Sequence, residues 1–225
     1  MNKEEKVYSI FQKIAKNYDS ANDRMSFGMQ RDWKKHLTDA VEHNVPTGSA
    51  LDVCCGTGDI AIALSKNLRT TGLDFSPAML DIAKQRSSEV TWISGSAMKL
   101  PFADNSFDAC TISFGLRNTA DFKTVLLEMK RVVRPGGFIF VLDSFEPKKG
   151  FVFPFYKFYF KNIVPLICGK QKYTEEYKWL NQSTEDFLSP EGLGSLMESI
   201  DLDLKQIEEY LFGACCLLFA QKKKS

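Results

Sequence analysis

The chain has 225 residues, enough for one large domain at about 100–200 residues per domain. Apolar residues make up 44% and charged residues 25%, which excludes a disordered or collagen-like chain. With Lys+Arg 29 against Asp+Glu 28, the net charge of +1 gives nucleic acid no general electrostatic hold.

Tyr210 to Gln221 is the longest stretch without a charge, well short of the ~18–20 residues a membrane span needs. The opening MNKEEKVYSIF carries acids and no apolar core, so no secretory signal is expected. The cysteines are Cys54, Cys55, Cys110, Cys168, Cys215 and Cys216; no C-x-x-C occurs, and the histidines are His36 and His43. A Cys/His metal site lacks its ligands, and the thiols read as buried groups in a reducing cytosol.

In chain order, residues 3–18 place Val7, Ile10, Phe11, Ile14, Ala15 and Tyr18 at helical spacing. His43 is assigned to a loop. From residue 49 the pattern alternates. Ala50–Cys54 reads as a strand ending in a glycine-rich turn, Ile60–Lys66 as a helix, and Thr70–Asp74 as a strand. Ser76-Pro77 is an N-cap and N1 pair that opens the next helix. Val90–Ser94, Ala109–Phe114 and Phe138–Asp143 read as strands. The helix Phe122–Val133 is expected to close at Pro135-Gly136-Gly137, and Asp104-Asn105-Ser106 is a turn. This alternation argues for an α/β parallel sheet with helices on both faces. Leu204–Phe212 and Ala214–Lys222 suggest a closing hairpin joined at Gly213, with Lys222–Lys224 as a solvated tail.

One segment stands apart in charge. Between Pro147 and Thr174 lie six lysines (148, 149, 157, 161, 170, 172) and no acid, interleaved with Phe151, Phe153, Phe155, Tyr156, Phe158, Tyr159 and Phe160. Two readings stand: a helical cap whose aromatics line a pocket, which is favoured, and contact with an anionic bilayer in addition.

The chemistry concentrates in Leu51-Asp52-Val53-Cys54-Cys55-Gly56-Thr57-Gly58-Asp59. Glycines between a strand and a helix let a ligand approach the backbone, and a helix start offers free N–H groups. Gly56-x-Gly58-x-x-Ala61 also fits the dinucleotide pattern, which by itself is weak. Asp52 and Asp59 would repel a pyrophosphate there. S-adenosylmethionine has a net cationic methionine end, so Asp52 can accept from its ammonium while the amides around Gly56 and Gly58 take its carboxylate. Asp74, ending the second strand, is placed to accept both ribose hydroxyls.

D-x-x-x-G-x-G at Asp52–Gly58, the acid Asp74 and Arg134-Pro135-Gly136-Gly137 resemble the class I S-adenosylmethionine-dependent methyltransferases. Longer runs narrow the resemblance. Tyr18-Asp19-x-x-Asn22-Asp23-x-x-Ser26-Phe27-Gly28, Arg31-x-Trp33-Lys34 and Leu100-Pro101-Phe102-x-Asp104-Asn105-Ser106-Phe107-Asp108 are similar to segments of the ubiquinone/menaquinone biosynthesis C-methyltransferases. So are Thr111-Ile112-Ser113-Phe114-Gly115-Leu116-Arg117-Asn118 and Tyr177-x-Trp179-Leu180-x-x-Ser183. The match covers most of residues 8–190. Ser96 stands where the family usually has an acid or Asn, and Gln30 where it often has His.

The resemblance implies a Rossmann-like, mostly parallel seven-stranded sheet with a C-terminal antiparallel hairpin. It implies a single domain: a helical cover over 1–45, a cofactor-binding core over 46–145, a substrate cap over 146–200 and the hairpin over 201–225. Thr57, Asp74, Ser96, Ala97 and Ser113 would line the S-adenosylmethionine site. The implied reaction is C-methylation of a reduced polyprenyl quinone, demethylmenaquinol or a methoxy-benzoquinol, by a cytoplasmic enzyme with room for peripheral contact at the inner membrane face. Oligomeric state is left open. Arg117, following the strand end, is the candidate catalytic residue, holding a ring oxygen as negative charge develops. The alternative is an Arg paired structurally with an acid such as Asp121. Rival functions are methylation of another small lipid or phenol, a non-catalytic accessory protein, and a nicotinamide oxidoreductase disfavoured by Asp59.

Overall fold

The computed structural model describes residues 3–148, 153–163, 179 and 182–224, apart from the side chains of 160 and 161. Cys168, Phe151, Tyr177, Leu180 and Lys149, Lys170 and Lys172 lie outside the described residues. Five parallel strands form most of the sheet: β1 (Ser49–Val53), β2 (Arg69–Asp74), β3 (Thr91–Ser94), β4 (Phe107–Ser113) and β5 (Val133–Ser144). Two antiparallel strands, β6 (Leu202–Tyr210) and β7 (Cys215–Lys222), complete the order β3-β2-β1-β4-β5-β7-β6.

Residue alternation along β5 explains why both faces are covered. Ile139 and Val141 point to one side, packing with Leu126 and Met129 of α6 (Phe122–Val132) and Leu193 and Met197 of α7 (Pro190–Ser199). Phe140 and Leu142 point to the other, against Leu37 and Val41 of α3 (Met29–Asn44) and Ile60 and Leu64 of α4 (Asp59–Leu64). Every residue of β1 is buried, as suits a central parallel strand. Each large apolar side chain removed from water in this way contributes about 1.5–3 kcal/mol. The edge strand β6 instead carries exposed Lys205 and Gln206, which discourage edge pairing.

Several boundaries differ from the sequence reading. The first helix is two, α1 (Lys3–Ile14) and α2 (Tyr18–Met25), with a 3-10 turn at Ala15–Asn17 between them. α6 ends at Val132, and Pro135-Gly136-Gly137 lies inside β5. The β4–β5 register shifts between Phe107 and Ala109, which absorbs the extra residues as a bulge. Gly137 is required there because a Cβ would sit 2.6 Å from the Asp108 carbonyl. His43 lies in the last turn of α3, not in a loop, and His36 stacks on Tyr210 with ring centroids 5.3 Å apart. Lys222 is no solvated tail. Its Nζ donates to Asn105 Oδ1 and to the carbonyls of Lys130 and Val133, tying β7 to the end of α6. Ser76-Pro77 opens α5 (Pro77–Arg86) as expected, with Ser76 Oγ accepting from Met79 N–H.

Candidate active site

β1 and β4 both stop at a left-handed residue, Cys54 (φ 55°) and Phe114 (φ 54°), and the chain turns there into the loops of the site. Between these loops and α1 lies a cleft. Its floor includes Gly56, Asp74, Ser96, Ala97 and Ser113, five of the residues expected to bind cofactor. Val7 and Phe11 of α1 and Tyr18 of α2 form the opposite wall. α1 is held there by Ile10 and Ile14, which pack on Met79 of α5.

Asp74 is buried and faces the cleft while its oxygens accept from the N–H groups of Gly56 (2.8 Å) and Ser76 (2.8 Å). It therefore shapes the glycine loop from within. Burial raises its pKa, opposed by those backbone donors. Ser96 Oγ accepts from Met98 N–H at 3.2 Å, and Ala97 is buried beside it. Ser113 Oγ is buried with no hydrogen-bond partner among the described residues.

Asp52, Thr57 and Gly58 sit behind the cleft rather than on its surface. Asp52 is fully enclosed between β1 and β4, where Oδ1 accepts from Thr111 Oγ1 at 2.7 Å and the backbone N–H of Ala61 also donates to the carboxyl group. Burial pushes its pKa up to about 7, against the opposing pull of these donors. It braces the loop and is not open to a ligand's ammonium. Thr57 Oγ1 donates to Asp19 of α2 at 2.8 Å. Gly58 (φ 89°) must be glycine: a Cβ there would meet the Trp92 ring at 2.5 Å.

Asp59 does not serve as the free acid invoked against dinucleotides. Lys34 (2.7 Å) and Arg86 (2.6 Å) both pair with it. Arg86 also donates to the Thr57 carbonyl at 2.9 Å and lies 3.4 Å from Asp19. The Tyr18-Asp19 and Trp33-Lys34 runs thereby fasten the N-terminal helices onto the glycine loop.

Arg117 is buried beneath the β4 loop and does not line the cleft. Its guanidinium pairs with Asp143 through Nη1, which also donates to the Phe114 carbonyl at 3.0 Å, and Asp143 accepts the Arg117 backbone N–H at 3.2 Å. Asp121, the acid offered as a structural partner, instead caps α6 by accepting from Lys123 N–H. Arg117 Nε is left buried without a partner among the described residues.

Two residues escaped the sequence reading. Asn118 lines the cleft with Oδ1 buried and unpartnered among the described residues, while its Nδ2 donates to the Phe114 carbonyl at 3.3 Å. Asp143 is fully buried opposite Arg117. Both carried signals: Asn118 closes the Ser113–Asn118 run, and Asp143 is an acid at the end of an apolar strand. Among the described residues, no group of three or more His, Cys, Asp or Glu could hold a metal ion.

A doubly wound sheet of this order, with β7 antiparallel beside β5 and the cleft at the carboxyl ends of the parallel strands, defines a class I methyltransferase fold. Solved structures agree on the fold. A possible histamine N-methyltransferase from Thermotoga maritima superposes with TM-score 0.68 at 22% identity, covering 96% of this chain and 100% of that one. A putative S-adenosyl-L-methionine-dependent methyltransferase from Methanococcus maripaludis gives 0.66 at 19% identity, covering 95% and 94%.

Sequence comparison is more specific. The model of the ubiE/COQ5 methyltransferase family matches residues 1–222, and the chain belongs to that family. Relatives include demethylmenaquinone methyltransferases of Staphylococcus haemolyticus, 42% identical over 99% of this chain and 96% of the relative. That of Bacillus licheniformis is 43% identical over 94% of each.

Proposed function

We propose that this protein uses S-adenosylmethionine to methylate a ring carbon of a reduced polyprenyl quinone, converting demethylmenaquinol to menaquinol. The observation that carries the reading is near full-length similarity to demethylmenaquinone methyltransferases at 42% and 43% identity. A 2-methoxy-6-polyprenyl-1,4-benzoquinol is the second candidate acceptor, since the family's description covers both ubiE and COQ5.

The cleft suits this cofactor. It offers the carboxylate of Asp74 for ribose hydroxyls, Ser96 and Ala97 for an adenine edge, and at Ser113 and Asn118 two buried polar atoms that lack partners among the described residues. Such atoms cost about 1–3 kcal/mol when left unmet, so a polar ligand is favoured there. The bound cofactor supplies an electrophilic methyl group on a positively charged sulfur. The quinol ring carbon forms the new C–C bond as the S–C bond breaks, and the ring then releases a proton. What the chain contributes is positioning and exclusion of water, with α1 closing one side.

In this reading Asp52 and Thr57 act indirectly, by bracing the loop that carries Gly56 and Gly58. Arg117, its charge balanced by Asp143, acts through position: its Nη1 holds the Phe114 carbonyl and so fixes the β4 loop at the cleft. Residues 1–45 cover the cofactor, 46–145 bind it, 146–200 receive the quinol and 201–225 close the sheet. No helix among the described residues is long and apolar enough to cross a membrane. In this reading the enzyme works on the cytoplasmic side and collects its acceptor from the bilayer by peripheral contact.

The test uses methyl-labelled S-adenosylmethionine with a short-chain demethylnaphthoquinol and a methoxy-benzoquinol, with products read by mass spectrometry. Label on ring carbon supports the reading, and the ratio of the two products names the acceptor. No label on either, with S-adenosylhomocysteine still bound, overturns it. In the same assay Arg117→Ala should lower the maximal rate, and its unfolding in urea should show the cost of leaving Asp143 buried and unpaired.

A further inference from the structure

Three residues of α1 share the face that lines the cleft: Glu4, Val7 and Phe11, spaced three and four apart. Val7 and Phe11 are the apolar part of that wall. Glu4 is an acid on the same face, and among the described residues no hydrogen bond or ion pair engages it. Its turn of helix is anchored on both sides. Lys3 Nζ donates to the Arg117 carbonyl at 3.3 Å and lies 5.1 Å from the centre of the Phe122 ring. Tyr8 meets Phe75 edge-on with ring centroids 5.6 Å apart. α1 thus reaches from the loop after β4 to the end of β2, with Glu4 turned toward the cleft.

An acid in the first turn also opposes the helix dipole, but Glu5 stands in that turn too and does not line the cleft. The dipole accounts for an acid here and not for one that faces inward. An adenine edge supplies a reason. It presents N1, which accepts, beside an exocyclic amine with N–H groups to donate. The Ala97 N–H suits N1, and the amine then needs an acceptor. Ser96 Oγ already accepts from Met98 N–H at 3.2 Å. Asp74, the other acid lining the cleft, holds the N–H groups of Gly56 and Ser76 and is assigned to the ribose. Ser113 Oγ and Asn118 Oδ1 are buried, whereas Ser96 and Glu4 are exposed lining residues and so stand at the rim.

We propose that Glu4 accepts the exocyclic amine of the cofactor's adenine, so that α1 recognises the base as well as covering it. The proposal rests on the S-adenosylmethionine reading above. A carboxylate accepting from an amine makes a charge-assisted hydrogen bond, which selects an aminopurine over a purine without the amine. The test is titration calorimetry without turnover, using S-adenosylhomocysteine and its 6-desamino analogue. In the analogue a hydrogen replaces the amine, while N1 still accepts and the ammonium is kept. Wild type should prefer S-adenosylhomocysteine by about five- to tenfold. Glu4→Ala should weaken S-adenosylhomocysteine by that factor and leave the analogue unchanged, so the preference disappears. Because Glu4 is exposed, the melting temperature without ligand should stay near that of wild type. Glu5→Ala, the control in the same turn, should keep the preference. No preference in wild type, or no loss in Glu4→Ala, overturns the proposal. So does an equal loss for both ligands, which would set Glu4 against the ammonium, or an equal loss in Glu5→Ala, which would trace the effect to the helix. Failure of wild type to bind either ligand would instead overturn the cofactor reading, and this proposal with it.

Discussion

On the glycine-loop bank of the cleft, polar groups are satisfied by the protein itself: Asp52 by Thr111, Thr57 by Asp19, Asp59 by Lys34 and Arg86. On the β4 bank, Ser113 Oγ, Asn118 Oδ1 and Arg117 Nε are buried and unmet among the described residues. The bank with the more conspicuous motif is the more self-contained. Its acids make a rigid seat, and the bank with the less conspicuous residues keeps hydrogen-bonding capacity for something else. A motif can be diagnostic of a site because it builds the site, without each of its side chains touching the ligand.

The contrast can be broken most sharply at Asp143. Removing it leaves the Arg117 guanidinium buried without its carboxylate, so Asp143→Ala should cost about 3–5 kcal/mol in urea unfolding. A loss below about 1 kcal/mol would mean the β4 bank does not depend on that pair. Asp74 is the acid of the other bank that does reach the cleft. Asp74→Ala should weaken S-adenosylhomocysteine binding by about 1–3 kcal/mol in titration calorimetry, and unchanged affinity would remove it from the ribose site.

At Asp52 the effect is read as a slope against pH rather than as a loss at one pH. Its folded pKa of about 7 lies above the ordinary 3.8, so the folded chain holds a proton that the unfolded chain has released. That stabilisation is fully present below about pH 4 and is lost as pH rises to about 7. Asp52→Asn should therefore flatten the slope of melting temperature between those limits. An unchanged slope would show that Asp52 is ionised throughout, which its enclosure opposes.

Much of this was legible in the residues. The parallel core could be read because buried strands such as Ser49–Val53 are apolar runs punctuated by glycine, and Ser76-Pro77 announces its helix by capping chemistry. The 3-10 break at Ala15–Asn17 was hidden because the apolar spacing continues through it. Pro135-Gly136-Gly137 misled because proline and glycine usually end helices, whereas here a bulge lets a strand run through them. At the site, Gly56, Asp74, Ser96, Ala97 and Ser113 lie together on one cleft. The ion pairs that occupy Asp59 and Arg117 join residues far apart in sequence, and no local pattern records them.

β7 lies between β5 and β6, so the strand made later fills an interior place in the sheet. During synthesis, β5 has one open edge until residues 145–214 have followed it. At about 5–20 residues per second that interval is roughly 4–14 s. The exposed edge carries Phe138, Phe140 and Leu142, a run able to pair with any passing strand. The order of strands therefore sets a window of vulnerability for the nascent chain, and a ribosome stalled in the hairpin would release an open-edged sheet.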